Sequence, residues 1–303
     1  MKVFVTGATG YIGSAVCEAL SKAGHKVIGL ARSEEAAQKL SQRGIEPHRG
    51  ELKDKDSLRA AARKADGVIH AASPGDATNS EADNSLLDAM FTELKGTNKP
   101  FVYTSGIWVI GATGEKVADE NFPLHPAAIS AWRVGCEQRA LGSARDGIRA
   151  AVIRPGIVYG RGGGIPASMI RSAKLRGEVQ FAGDGENHWP VVHVQDVADL
   201  YVRAFEKAAA GSLFHAAEKD SVKVRELALA ASEGAGVPGK VAPWPLEEAR
   251  KTLGAFADAL ALDQRISSEK ARKILGWNPR QAGILEDLRR GSYLARSKSE
   301  ARA

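Results

Sequence analysis

A glycine-rich segment near the start of the chain has the residue types and spacing needed to hold a pyrophosphate. The segment runs TGATGYIG, with glycines at Gly7, Gly10 and Gly13. It lies between a short β-rich stretch and a stretch whose apolar residues recur every four positions, as in a buried helix. In that context the three glycines permit a tight turn, close approach of backbone to phosphate, and close helix–strand packing. The helix N-terminus then presents amides to the anion. The segment predicts a dinucleotide site.

The end of the second predicted strand distinguishes the two nicotinamide dinucleotides. That strand ends GLARS, with Arg32 and Ser33 and no carboxylate before Glu34. An acidic residue at this place accepts hydrogen bonds from a ribose 2′-hydroxyl, whereas an arginine accommodates a 2′-phosphate. A guanidinium can bind a phosphate through two parallel hydrogen bonds. The sequence therefore favours NADP over NAD, with a solvated arginine as the alternative interpretation of Arg32.

Strands and helices alternate along the first half of the chain, as needed to position such a loop. Strands are predicted at KVFVT, HKVIGLAR, IEPHRGEL, GVIHAA, PFVYTS and IRAAVIRPG. Helices are predicted between them, including one at about 54–64, one at about 82–97 and one at about 128–145. This alternation is typical of right-handed βαβ units that build a parallel sheet with helices on both faces. The predicted fold class is a doubly wound α/β Rossmann sheet with a smaller, irregular C-terminal lobe.

The composition of the sequence changes after residue 160. Glycine-rich and proline-rich loops such as RGGGIP and GAGVPGKVAPWPL separate short apolar runs. We assign residues 1–160 and about 191–214 to the dinucleotide-binding domain, because the predicted helix near 195–208 returns to the main sheet. Residues about 161–190 and 215–303 are assigned to a substrate lobe, and the tail SKSEARA is expected to fray.

Composition excludes several classes of protein. The formal net charge is +6, but basic residues are interspersed with acidic ones, so no nucleic-acid partner is predicted. The two cysteines, Cys17 and Cys136, are too few for a disulfide framework, and the histidines show no metal-ligand spacing. No apolar run approaches the roughly 18 residues that a membrane span needs. A cytoplasmic protein with a small-molecule substrate, no membrane partner and no metal is expected.

Several segments together resemble the extended short-chain dehydrogenase/reductase family, of the epimerase/dehydratase-like type. The two residues between Gly7 and Gly10 match its phosphate loop. GVIHAAS, FVYTSGIWVIG, IRPGIVYG, VVHVQDVADL and SSEKARKILGWNP resemble its later signatures in the same order. The resemblance covers nearly the whole chain and is more specific for the fold than for the reaction. It is compatible with a homodimer.

The resemblance also implies which residues contact the cofactor. They lie in the phosphate loop, at the ends of the predicted strands and on one helix. These positions are Gly7, Thr9, Gly10, Tyr11, Ile12, Arg32, Ser33, Glu51, Leu52, Ala71, Ala72, Ser73, Thr104, Arg133, Pro155, Gly156 and Val158.

The family's catalytic residues carry over only in part. The family places a tyrosine four residues before a lysine, and a nearby cation makes the phenol useful as an acid or base at neutral pH. Counting back from Glu137, the lysine place holds Arg133 and the tyrosine place holds Ile129. Arg133 keeps the positive charge, but Ile129 cannot transfer a proton. The family's serine place falls on Gly106, with Ser105 one residue earlier.

Three side chains are candidates to replace the missing proton donor. Ser105 can reach a substrate oxygen if its loop shifts by one residue, although a hydroxyl bonded to backbone or cofactor is the simpler interpretation. Tyr159 is expected to pack under the cofactor edge, with catalysis as the alternative. His188 lies on a loop expected to face the cleft and titrates near neutral pH, with an ordinary surface histidine as the alternative.

The sequence supports two functions of different classes. The first is an NADP-dependent reductase of a small, rather apolar carbonyl compound, with a non-standard proton donor. The second is a catalytically degenerate NADP-binding sensor or interaction protein. A nucleotide-sugar epimerase or dehydratase is disfavoured, since RPGIVYG carries no asparagine where such relatives often do. Apolar residues in the predicted cleft loops indicate an apolar substrate; those assigned to the substrate, together with His188, are Trp108, Ile165, Met169 and Trp189, and further wall residues are Ile110 and Phe122.

Overall fold

The computed structural model describes residues 1–294 of the chain. The tail SKSEARA, which is predicted to fray, lies outside the described residues. The strands are β1 Lys2–Thr6, β2 Lys26–Ala31, β3 Glu46–Arg49, β4 Gly67–His70, β5 Pro100–Thr104, β6 Val117–Ala118, β7 Arg149–Pro155, β8 Ile157–Tyr159, β9 Val179–Ala182, β10 His188–Trp189, β11 Val191–His193, β12 Ser212–Ala216, β13 Val222–Lys223, β14 Val241–Trp244 and β15 Arg265–Ile266.

Helices connect these strands and build most of the second lobe. The α-helices are α1 Tyr11–Lys22, α2 Glu34–Ser41, α3 Lys55–Arg63, α4 Asn79–Leu94, α5 Ala131–Gly142, α6 Gly164–Arg176, α7 Val194–Lys207, α8 Val224–Gly234, α9 Leu246–Leu253, α10 Ala255–Leu260, α11 Glu269–Leu275 and α12 Ile284–Arg290. Short 3-10 turns lie at Ile107–Val109, Ala128–Ser130 and Ser143–Asp146.

The main sheet has seven strands in the order β12-β7-β5-β4-β1-β2-β3, and every neighbouring pair is parallel. This confirms the predicted doubly wound α/β fold. The strand order reverses between β1 and β4, so the loops after these two strands separate and open a crevice at the carboxyl edge of the sheet. Ligands of open α/β sheets bind in such a crevice.

Two apolar layers hold helices on the faces of this sheet. One layer packs α1 and α7 against it and includes Val16, Leu20 and Tyr201. The other packs α3, α4 and α5 against the opposite face and includes Leu58 and Leu87. Because both faces are covered, the central strands are continuous buried runs, which is typical of parallel sheets.

A third apolar cluster forms the smaller lobe. It joins α6, α8, α12 and β9, and includes Met169, Phe181, Trp189 and Leu227. The predicted helix at 82–97 in fact begins at Asn79 and ends at Leu94, because Gly96 takes a positive φ of 71° that stops the helix.

The lobe boundaries differ from those assigned from the sequence. Ser212–Ala216 pairs with β7 as the seventh strand of the main sheet, so the assigned boundary at 214/215 falls within a strand. The segment 269–277, assigned to the lobe, packs on α7 instead, where Trp277 is buried. Its indole donates a hydrogen bond to the carbonyl oxygen of Asp196 at 2.8 Å. The apolar runs in this region are short, so the sequence does not indicate which strand joins the main sheet and which joins the lobe.

Within residues 1–294, no helix combines the length and the apolar character needed to cross a membrane. In the same part of the chain, no group of three or more His, Cys, Asp and Glu side chains is arranged to hold a metal ion.

Candidate active site

A cavity of about 790 Å³ opens at the carboxyl edge of the main sheet. One side is lined by the first turn of α1 and by the loops after β4, β5 and β7. The other side is lined by the 3-10 turns at 107–109 and 128–130, and by α5, α6 and α10. The cavity therefore joins the crevice of the sheet to the second lobe.

The phosphate loop has the shape of a cradle for a dinucleotide. Gly7 has a φ of 73°, and a Cβ there would lie 2.6 Å from the carbonyl oxygen of Ala71. A Cβ on Gly13 would lie 2.0 Å from the carbonyl oxygen of Gly7. Both positions therefore exclude any side chain. Gly10 is the N-cap of α1 and supplies no side-chain cap, which leaves the end of the helix open to an anion.

The predicted adenosine-side residues lie around this loop, outside the cavity lining. Arg32 is exposed at the end of β2, and Glu51 is exposed beyond β3, next to a half-buried Leu52. The Ser33 hydroxyl oxygen caps α2 by accepting a hydrogen bond from the Ala36 amide at 3.1 Å. The hydroxyl of Tyr11 donates to the carbonyl oxygen of Gly160 at 2.6 Å, and Thr9 is exposed.

Most of the remaining predicted cofactor residues line the cavity together. They come from α1, from the loop after β4, from the end of β5, from α5, and from the end of β7 through β8. The group consists of Ile12, Ala71, Ala72, Ser73, Thr104, Arg133, Pro155, Gly156 and Val158.

Arg133 is positioned by a buried ion pair one helical turn further along α5. Glu137 and Arg154 of β7 form two side-chain contacts, and both residues are almost fully buried. This pair fixes α5 against the sheet, so that Arg133 reaches the carboxyl end of β5. There its guanidinium donates to the carbonyl oxygen of Thr104 at 3.1 Å. The same guanidinium stacks on Trp132, 4.4 Å from a ring centroid.

A buried polar network connects the end of β5 to the phosphate loop. The hydroxyl of Thr104 donates to the carbonyl oxygen of His70 at 2.5 Å, and the His70 ring lies 2.7 Å from the Thr6 hydroxyl. The opposite ring nitrogen of His70 lies 3.2 Å from Asp83, which also accepts from Tyr103 at 2.6 Å. Burial acts to raise the pKa of Asp83, but His70, Tyr103 and the nearby Arg133 charge more than offset it, so the pKa is lowered.

Ser105 is the buried hydroxyl of the cavity that lacks a partner. Its side chain lines the cavity, the residue is 5% exposed, and its Oγ has no hydrogen-bond partner among the described residues. The backbone amide of Ser105 donates to the carbonyl oxygen of Ile153 at 2.8 Å, so the position is fixed by the sheet. A buried hydroxyl without a partner costs free energy unless a ligand satisfies it.

The positions that replace the family's serine and tyrosine also line the cavity. Gly106 has open space where a Cβ would lie, and Ile129 adds an apolar surface on the 128–130 turn. Ile129, Arg133 and Ser105 therefore line the same cavity.

Two other candidate proton donors lie outside the cavity lining. The Tyr159 hydroxyl lies 2.5 Å from Glu218 and 2.8 Å from the carbonyl oxygen of Ala282. The ring of His188, expected to face the cleft, instead lies 2.9 Å from Asp263 through Nδ1. His188 sits in β10, paired with β13 of the second lobe, and this pairing turns it away from the crevice.

Of the predicted substrate and wall residues, some line the cavity and others do not. Trp108 and Ile165 line it. Met169 and Trp189 are buried in the core of the lobe, and Ile110 and Phe122 pack in a small separate cluster. These four side chains are apolar because they pack in buried clusters of the protein.

Phe256 of α10 lines the cavity and was missed by sequence reasoning. Its ring contacts Trp108 edge to face, with ring centroids 5.7 Å apart and an interplanar angle of 75°. The two residues are far apart in the chain, so no local pattern indicates their contact. Ile107 and Trp132 complete the apolar wall.

Comparisons with known proteins agree with this geometry. The model of the NAD dependent epimerase/dehydratase family matches residues 3–217. An uncharacterized protein of Saccharomyces cerevisiae is 38% identical over 95% of this chain and 98% of its own length. A 2-alkyl-3-oxoalkanoate reductase of Stenotrophomonas maltophilia is 26% identical over 96% of this chain and 98% of its own.

The fold is also similar to solved structures. The UDP-glucose 4-epimerase of Thermus thermophilus, solved in complex with NAD, superposes with a TM-score of 0.78 at 23% identity. The match covers 98% of this chain and 99% of that one.

Proposed function

The chain belongs to the NAD-dependent epimerase/dehydratase family, and on that premise we propose that it is an NADP-dependent reductase of a small, neutral, apolar carbonyl compound. The observation that carries the proposal is the partnerless Ser105 hydroxyl, buried in a cavity that is otherwise largely apolar. A carbonyl oxygen is the ligand group that such a hydroxyl can satisfy.

The residues that would hold the cofactor are those of the cradle and the crevice. The α1 N-terminus would bind the pyrophosphate, Arg32 would bind the 2′-phosphate, and Arg133 would face the nicotinamide ribose. When bound, a nicotinamide supplies a hydride to a carbonyl carbon or accepts one in the reverse direction. The reductase of Stenotrophomonas maltophilia, whose name describes a ketone reduction, supports this assignment of reaction class.

The charges of the cavity favour a neutral carbonyl over a nucleotide sugar. Among the lining residues, the charged side chains are Asp76 and Arg133. Arg133 already donates to Thr104 and stacks on Trp132. A sugar nucleotide would bring a diphosphate into the substrate side of the cavity, and diphosphates in proteins are bound by cations or by clustered amide donors. This lining offers no second cation for that purpose.

Ser105 orients the substrate and stabilises charge on its oxygen in this proposal. Its hydroxyl would donate to the carbonyl oxygen, while Ile129 and the aromatic wall pack against the other faces of the substrate. Orientation of the substrate and a donor aimed at the developing charge contribute much of the rate of such reactions. Because Ile129 cannot donate a proton, water has to reprotonate the product oxygen, and turnover should be slow.

The experiment is NADPH oxidation with a panel of neutral ketones, with the alcohol product identified by mass spectrometry. The proposal expects slow turnover with apolar ketones and none with UDP-glucose. Tight, Arg32-dependent NADP binding without turnover of any ketone would instead support the degenerate sensor. Cytoplasmic location and a homodimer stay predictions.

A further inference from the structure

Two aromatic rings from distant parts of the chain meet on the substrate side of the cavity. Trp108 follows β5 in the 107–109 turn, and Phe256 lies on α10 of the second lobe. Their edge-to-face contact, with centroids 5.7 Å apart, is a preferred geometry of aromatic pairs. Both side chains also line the cavity.

Each ring is held in place by neighbouring buried residues. Trp108 packs against the lobe core and against a small cluster that includes Ile107 and Val109. The helix of Phe256 is anchored by Ala257, which is fully buried with Ala249 in a separate cluster. The same helix contacts the 128–130 turn that carries Ile129. The two rings are therefore preorganised for a ligand between the lobes.

The polar side chains that line the cavity suit a ligand with one acceptor and no charge. Asp76 lies in an exposed loop and accepts hydrogen bonds from Thr78. Arg133 already donates to the carbonyl oxygen of Thr104 at 3.1 Å, and the hydroxyl of Ser130 donates to that of Ala127 at 3.0 Å. Among the lining residues, Ser105 is the buried donor without a partner.

We propose that Trp108 and Phe256 together form an aromatic subsite that contacts the ring of a neutral aryl ketone, whose oxygen accepts the Ser105 hydrogen bond. This inference rests on the proposed function and names its substrate class. The aryl ring contacts the two aromatic side chains, and the flat conjugated carbonyl extends toward the carboxyl end of β5. Phe256 is then the specificity-determining residue, since it comes from outside the dinucleotide-binding sheet.

The test compares the binding of two ketones of equal carbon number, acetophenone and cyclohexyl methyl ketone. Ligand-observed NMR titrations are made with NADP⁺ present, which cannot reduce a ketone, so the readout is binding without turnover. We expect acetophenone to bind about tenfold more tightly, as one favourable aromatic contact provides. Phe256→Leu keeps an apolar side chain and should remove most of this preference, with little change for the cyclohexyl ketone.

A matched control is Phe91→Leu, which removes a half-buried phenylalanine of α4 outside the cavity lining and should leave the preference unchanged. Equal binding of the two ketones to the wild type would overturn the aromatic subsite and leave the proposed reductase standing. An unchanged preference in Phe256→Leu would overturn the subsite as well. Binding of neither ketone, with NADP⁺ bound, would overturn both the aromatic subsite and the carbonyl substrate.

Discussion

The guanidinium of Arg133 donates a hydrogen bond to the carbonyl oxygen of Thr104 at 3.1 Å, across the boundary between α5 and the end of β5. This contact joins α5, which carries Arg133 at the place of the family's lysine, to β5, which ends just before Ser105. The charge of Arg133 and the Ser105 hydroxyl are therefore held on one side of the cavity.

Ser105→Ala should lower kcat/KM for a ketone by about 10²-fold, the scale of losing one donor to a developing oxyanion. The physical reason is that Ser105 is the buried hydroxyl of the cavity without another partner. Steady-state NADPH oxidation measures the change. Ser130→Ala is the control, because that hydroxyl lines the cavity but is bonded to Ala127, and its turnover should stay close to wild type. Equal losses in the two variants would refute a specific role for Ser105.

Ile129→Tyr should raise ketone turnover, by up to about 10²-fold, as expected for a positioned general acid. The new phenol would lie four residues before Arg133, whose cation favours its ionised form. Ile129→Phe adds the same ring without the hydroxyl and should give no gain. Comparable rates for the tyrosine and phenylalanine variants would mean that position 129 does not reach the substrate oxygen.

Glu218→Gln should change the pH dependence of stability. Burial raises the pKa of Glu218 to about 7, against the opposing hydrogen bond from Tyr159. A raised pKa in the folded state gives stability that is complete below the unfolded pKa, near 4.5, and lost as pH rises through 7. The variant should match the wild type at pH 5 and exceed it at pH 8.5, by on the order of 3 kcal/mol.

Urea denaturation at these two pH values measures the difference in the free energy of unfolding. Glu248→Gln, on the exposed side of α9, is the control and should follow the wild type at both. If the free energy of unfolding of Glu218→Gln changed between the two pH values by the same amount as that of the wild type, this carboxyl would not be desolvated in the folded protein.

Arg32→Gln should lower the affinity for NADP⁺ by about tenfold and leave that for NAD⁺ unchanged, since a charge-assisted phosphate contact is lost. Isothermal titration with each dinucleotide measures both affinities. Arg43→Gln removes another exposed arginine, just beyond α2, and is the matched control. If Arg32→Gln weakened both dinucleotides equally, the side chain would not select the 2′-phosphate.

The phosphate loop and the sheet could be predicted from the sequence because their signals are local. A glycine pattern between a strand and a helix, and apolar runs alternating with amphipathic ones, depend on residues that are near in the chain. The places of Ser105 and Ile129 follow instead from the family resemblance, for Ile129 by its distance from Glu137.

The wall of the cavity could not be predicted in the same way. Met169 and Trp189 lie in segments that face the cleft by their order in the chain, but their side chains point into the core of the lobe. Phe256 reaches the cavity because α10 packs on the 128–130 turn, a tertiary contact without a sequence signature. The sequence places His188 in the cleft through its loop. The structure instead puts it against Asp263, 75 residues away in the chain, and no local pattern indicates a contact over that separation.

The most direct test of the proposed dinucleotide site is an equilibrium titration of the purified protein with NADP⁺ and with NAD⁺. We expect saturable 1:1 binding of NADP⁺, at least about tenfold tighter than binding of NAD⁺. Failure to bind either dinucleotide would contradict the role of the phosphate loop and remove the basis of the proposed reduction.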